Sequence, residues 1–286
     1  MENKIHIRHC EERNATKQSS FSDSYWIAAS AFGLLAMTIV VTALASPALA
    51  QTTNSSQPLE ITADGSLEWN RNEKLFIARN NALAKQGDTA IKAETLTAHY
   101  RDGEKGGMDI HHVNADGKVE LRSKDSLATG QKADYDLDKA FAVMTGDNLK
   151  MTSPDQTVTA QDRFEYHVNE GKLLAIGGAK AIRKNIKGET NTLEADTISA
   201  ILKDDAKGQR KLETLEAIGN VTITTPTEKV MGQRGIYHAA TNKATMTGGV
   251  TLHRGPNILQ GERAEVDMTT NTSQLFGGPA STTGSG

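Results

Sequence analysis

The chain has a single cysteine, Cys10, and none from Gln51 onward. That excludes disulfide staples, a thiolate nucleophile and a thiolate metal site in this part. Cys10 is not placed as a lipid-attachment cysteine directly after an apolar run. Aromatic residues make up 5% of the sequence, too few for the exposed aromatic rows that a sugar-binding surface uses. No excess of positive charge is present: 28 basic side chains stand against 31 acidic ones after residue 50. A nucleic-acid-binding protein needs a basic stripe to displace counterions from phosphates, so that class is excluded. H-E-x-x-H, G-x-S-x-G, P-loop and G-x-G-x-x-G patterns are missing as well. No cofactor is expected.

The only long apolar run is Trp26 to Ala45, twenty residues without a charge, followed by Ser46-Pro47-Ala48-Leu49-Ala50. Small residues at Ala48 and Ala50 form an A-x-A cleavage site, which reads residues 1–50 as a secretory signal segment. The run is also long enough for a retained anchor, and the charges of the first 25 residues cancel. A start assigned too far upstream would explain that unusual leader. Cleavage predicts a soluble, periplasmic chain beginning at Gln51, with 51–57 a flexible start.

What is present is a repeat. A shift of 102 positions lays Ala93–Pro154 on Ala195–Pro256 without a gap, with 17 of 62 positions identical. Gly117-Lys118-Val119 falls on Gly219-Asn220-Val221, and Ala142-Val143-Met144-Thr145-Gly146 on Ala244-Thr245-Met246-Thr247-Gly248. Inside it, Asn80-Asn81, Asp116-Gly117, Gly146-Asp147, Gly177-Gly178, Gly219-Asn220 and Gly248-Gly249 mark units of about 29 to 42 residues. Between these marks apolar and polar residues alternate, the mark of strands with one face in a core. Asn and Gly tolerate positive φ, so these pairs are expected at tight turns between strands. The expectation is an all-β, elongated antiparallel molecule, internally duplicated, with a first repeat over 58–170 and a second over 171–276. No linker separates the halves, so the sheet should run through both. The tail 277–286 is too small and polar to order itself.

Residue chemistry offers few candidates. His111 and His112 are neighbours on a strand and point to opposite faces, so they cannot close on one metal. Asp134, Asp136 and Asp138 recur on one strand face, but Tyr237-His238-Ala239-Ala240 replaces that run in the second repeat, which reads them as solvated. Lys180, Arg183, Lys184 and Lys187 pack four cations beside Ile182 and Ile186. They form either a solvated strand guarded against edge pairing or a charged rim beside an apolar groove. Leu59 and Ile61, Ile91 and Ala93, Val119 and Leu121, and Tyr135 and Leu137 are each spaced two apart, so each pair shares a strand face. They line either a closed core or an open groove.

Gln57-Pro58-Leu59-Glu60-Ile61-Thr62-Ala63-Asp64, Leu67-Glu68-Trp69 and Ile91-Lys92-Ala93-Glu94-Thr95-Leu96 resemble the opening of the LptA/OstA-like family. Ala142–Asn148 and Ala217–Val221 resemble its recurrent T-G-N-V strand entry. The resemblance spans most of the chain after residue 57. It implies a twisted β-jellyroll open at both ends, with no enzymatic activity. Its interior would shield the acyl chains of lipopolysaccharide, with Leu59, Ile61, Ile91, Ala93, Val119, Leu121, Tyr135 and Leu137 facing the lipid. Lys180, Arg183, Lys184 and Lys187 would then face phosphate. Implied partners are lipopolysaccharide, further copies joined head-to-tail, and the jellyroll domains of inner-membrane (LptC-like) and outer-membrane (LptD-like) export components. A membrane-anchored subunit of the same machine remains an alternative. So does a β-solenoid polysaccharide enzyme or adhesin, for which neither paired carboxylates nor aromatic rows recur.

Overall fold

The computed structural model describes residues 60–86, 88–103, 108–123, 126–184, 188–204, 210–267, 269–270 and 272–277. The leader, the start at 51–57, Leu59, Lys187 and the tail from 278 lie outside the described residues. Seventeen strands and no helix occur among them. β1 (Glu60–Thr62) and β2 (Leu67–Asn70) both lie on β3 (Leu75–Gln86). The chain then meanders antiparallel through β4 (Thr89–Asp102), β5 (Met108–Ser123) and β6 (Ser126–Asp136). β7 (Phe141–Thr145) and β8 (Leu149–Ser153) lie along the two halves of β6. β9 (Gln156–Ala160) and β10 (Arg163–His167) return along them and meet the two halves of β11 (Lys172–Lys184). The same meander continues through β12 (Thr190–Asp204), β13 (Arg210–Thr224), β14 (Glu228–His238), β15 (Lys243–Arg254), β16 (Asn257–Asp267) and β17 (Thr272–Phe276).

Taking β1/β2, β7/β8 and β9/β10 as single interrupted strands leaves fourteen strand positions. At about 4.8 Å per step they stack to roughly 60 Å. The sheet passes without a break from β10 through β11 to β12. The duplication is visible in the elements: β6 spans 126–136 and β14 spans 228–238, both ends moved by 102.

Each marked place holds two residues of positive φ, as expected, but five of the six lie inside strands, and only Gly146 and Asn148 fall in a turn, between β7 and β8. Asn80 and Asn81 (φ 63° and 49°) lie inside β3, and Gly219 and Asn220 (79° and 50°) inside β13. Pairing shifts register at these places, between Arg79 and Ala82 and between Ile218 and Val221. Two successive left-handed residues insert a bulge that bends a strand while pairing resumes beyond it. The other turns between strands fall elsewhere, for example at Leu137–Ala140. The repeating interval is therefore the length of one up-and-down pair, with one corner per pair.

A row of corners divides the sheet into two walls. Wall A holds β1, β8, β9 and the arms beside them; wall B holds β2, β7, β10 and β17 with theirs. On wall A one inward row runs Ile61, Ala84, Ile91, Leu121, Ala128, Met151 and continues through Val158, Ala181, Leu193, Ile223, Val230, Leu252 to Leu259. Thirteen strands thus present apolar side chains in one line. On wall B the corresponding row passes through Tyr135, Ala142, Tyr166, Leu173, Ala200, Leu215 and Tyr237. Each fully buried Leu, Ile or Val contributes about 1.5–3 kcal/mol, and this replaces the staples that cysteine would supply.

The corners make a prediction. At Gly248 (φ 87°) an added Cβ would come 2.6 Å from Gln233 Cβ, whereas at Gly249 (φ 69°) it meets nothing within 4 Å. Gly248→Ala is expected to cost roughly 1–3 kcal/mol. Gly249→Asn should be nearly neutral, since Asn220 occupies the equivalent second position in β13. Equal drops in melting temperature for the two variants would refute this view of the corner.

Candidate functional site

The inward faces of the two walls enclose a cavity of about 240 Å³. Wall A contributes Ala84, Ile91, Leu121, Ala128, Met151 and Val158. Wall B contributes Val113, Tyr135, Met144, Phe164, Tyr166 and Leu173, and the lining reaches Ile198, Ala200 and Leu215 at the start of the second repeat. On wall A the polar groups lie along one margin, where Gln86, Thr89, Ser126, Ser153 and Gln156 end its arms, while Asp134 and Glu165 border the cavity from wall B. The site is thus an apolar trough with a hydroxyl and amide lip. Burial raises the Tyr135 hydroxyl above its ordinary pKa, so the ring stays neutral.

The residues singled out in the sequence are distributed along this trough. Ile91, Leu121 and Tyr135 line the cavity, and Ala93 and Val119 are buried beneath it at the corner. Leu137 is buried in the turn just past the end of β6. Ile61 continues the wall A row to the first end of the sheet, where it is 40% exposed.

The four cations are not brought to one face. Arg183 follows Ala181 on the inward side, beside Gln156, and its Nε donates to Asp155 Oδ2 at 3.0 Å. Lys180 and Lys184 point to the outer face, Lys180 pairing with Glu194 at 2.9 Å. Strand alternation separates what sequence proximity had joined.

The other titratable candidates have structural partners on the outer face. His112 Nε2 lies 2.9 Å from Asp134 Oδ2. Hydrogen bonds from Lys139 hold Asp136 below the usual carboxylate range, and those from Arg101 do the same for Asp138. No group of three metal-binding side chains occurs among the described residues.

Sequence reasoning did not single out Met144, Met151, Phe164 and Leu173. Met144 carried a signal, since it repeats as Met246. The buried polar residues Asn191 and Glu228 were also missed; their alternating position at the end of an arm gives no hint of burial.

Comparison with known proteins follows this geometry. No curated protein matches the chain at a significant level. Among solved structures, it is similar to LptH of Pseudomonas aeruginosa, described as the LptA-homologous periplasmic component of the lipopolysaccharide transport device. Identity is 21%, over 40% of this chain and 78% of LptH, with a TM-score of 0.33. Residues 60–172 and 185–272 match the family described as LptA/(LptD N-terminal domain) LPS transport protein. Matched over most of its length, on both sides of the repeat, the chain belongs to this family of lipopolysaccharide transport proteins.

Proposed function

We propose that the chain is a periplasmic bridge protein that binds lipopolysaccharide and carries it between the membranes by covering its acyl chains. The observation that carries this reading is the apolar trough between walls A and B. An acyl chain crossing water exposes methylenes, each worth about 0.8 kcal/mol on burial. A trough lined by Ile91, Leu121, Met151 and Val158 recovers that energy along its length, while the hydroxyls and amides of the lip stay toward the head group. Arg183, at the inward edge of wall A, is the cation of its segment that this reading assigns to phosphate.

The same reading places partners at the two ends. Among the described residues no further strand adds beyond β1 and β2 at one end or beyond β17 at the other. Strand addition there joins further copies and the jellyroll domains of the inner- and outer-membrane components.

A photoreactive residue at Leu121 or Met151 is expected to crosslink lipopolysaccharide in the periplasm of living cells, and one at the outer-face residue Thr222 is not. Absence of adducts at both trough positions, in a folded protein, would overturn the lipid-binding reading.

A further inference from the structure

The trough closes in the second repeat. The 102-residue shift pairs Ile91 with Leu193, Leu121 with Ile223 and Tyr135 with Tyr237. The first member of each pair is half-buried and lines the cavity, and the second is buried. Only about 10 Å³ remains between Leu193, Leu215, Ile223 and Tyr237. Larger side chains fill the space, Val230 standing where the first repeat has Ala128 and Leu215 where it has Val113.

The lip closes too, although it is polar. Thr89 and Ser126 border the open cavity, and their equivalents are Asn191 and Glu228. Asn191 is fully buried, and neither its Oδ1 nor its Nδ2 has a hydrogen-bond partner. The Glu228 side chain is 1% exposed; its Oε2 has no partner and its Oε1 lies 3.8 Å from Arg254 Nε. Buried groups without partners destabilise the state that buries them. These side chains suit a lip that meets water, as the same positions do in the first repeat.

We propose that the second repeat holds a further acyl-chain compartment, continuous with the cavity and shut in this conformation by a latch of Asn191, Glu228 and Arg254. Its occupant rests on the lipid-binding reading; its opening does not.

Opening depends on pH. Burial pushes Glu228 up to about 7, with Arg254 acting in the opposite direction. Among the described residues Arg254 is the charged group facing it from β15, and the turn between β13 and β14 contributes Thr225, whose hydroxyl oxygen accepts from the Glu228 backbone N–H. Wall B turns Leu202, Leu212, Leu215 and Tyr237 inward; of these only Tyr237 titrates, and burial raises its pKa. A carboxyl raised in the closed state favours closure fully below its ordinary value of 4.5, and that preference is lost as pH rises through about 7.

The test uses spin labels on Thr224→Cys in wall A and His238→Cys in wall B, both exposed, in a chain carrying Cys10→Ser. Without lipid, pulsed dipolar distances at about pH 5 should show one population, with a longer one increasing at least tenfold by about pH 8. Glu228→Gln should hold the short distance at both pH values. Identical distributions at both pH values in the parent overturn the latch. Asn191→Leu removes the two unpaired atoms at similar size and should raise the melting temperature; a fall of several degrees also overturns it. Adding lipopolysaccharide at about pH 8 should enrich the long distance. If it does not, while lipid still crosslinks at Leu121, the compartment is refuted and the lipid-binding reading survives. Loss of crosslinking at Leu121 and Met151 instead refutes that reading, with the latch judged on the lipid-free series.

Discussion

Ile223→Glu is expected to unfold the protein, whereas Leu121→Glu should leave it folded and abolish lipid binding. The two positions are equivalent under the repeat, so strand propensity and neighbour pattern are nearly the same. Their surroundings differ. Ile223 is 1% exposed between Leu193 and Val230. In the closed form a carboxylate there has no partner and no path to water, and its burial together with the lost apolar contact costs on the order of 4–6 kcal/mol. That approaches the whole stability of a typical domain, about 5–15 kcal/mol. Leu121 borders the cavity, so a glutamate there reaches water through the trough and loses roughly 1–2 kcal/mol of apolar burial. Urea denaturation of both variants, with a lipopolysaccharide binding assay on Leu121→Glu, measures the contrast. Equal destabilisation would mean that the first repeat is a closed core. Normal binding by a folded Leu121→Glu would remove it from the lipid path.

Much of this was legible in the sequence because alternation and duplication are local signals. The all-β class, the shared face of Ile91 with Ala93 and of Val119 with Leu121, and the positive φ of the Asn/Gly pairs all follow from spacing and residue type. The role of those pairs was not legible. A left-handed pair satisfies a hairpin turn and a mid-strand corner equally well, and only the partner strand decides. Glu94 against Gly117 and Asp196 against Gly219 supply that information across the sheet. Nor did the repeat reveal which half is open. Tyr135 and Tyr237 are the same residue in the same pattern, and what separates them is the summed volume of distant inward side chains such as Val113 and Leu215. Asn191 and Glu228 read as solvated strand ends, because burial at the lip is set by the opposite wall. In the cation segment adjacent strand residues diverge, and among its described members only Arg183 turns inward.

Ile258→Lys with Leu259→Lys is expected to convert concentration-dependent assemblies into monomers. Among the described residues nine large apolar side chains are exposed, and seven lie at the two ends of the sheet. Ile61, Leu67 and Trp69 mark one end; Ile258, Leu259, Leu275 and Phe276 mark the other. They are also the ends of the interior rows. Ile61 and Leu259 terminate the apolar row of wall A, while β16 is paired by β17 only from Arg263 onward. Among the described residues no strand covers the outer side of the Asn257–Gly261 arm, which presents open backbone and apolar side chains together, the combination that templates strand addition. On wall B the edge strand β17 is the fourteenth position and runs antiparallel to β2 of the next copy, whereas on wall A the edge is the arm of β16, the thirteenth, which runs parallel to the β1 it would meet. A head-to-tail contact of this kind need not close into a ring. Lysine on an edge is a natural block to such pairing, and desolvating two ammonium groups in the contact should weaken it at least about tenfold. Sedimentation across a concentration series would show the shift. The control is Ile218→Lys, exposed at the β13 corner and away from both ends, which should assemble like the parent. A monomeric parent at high concentration, or a double variant that assembles as the parent does, would refute end-to-end pairing through this edge.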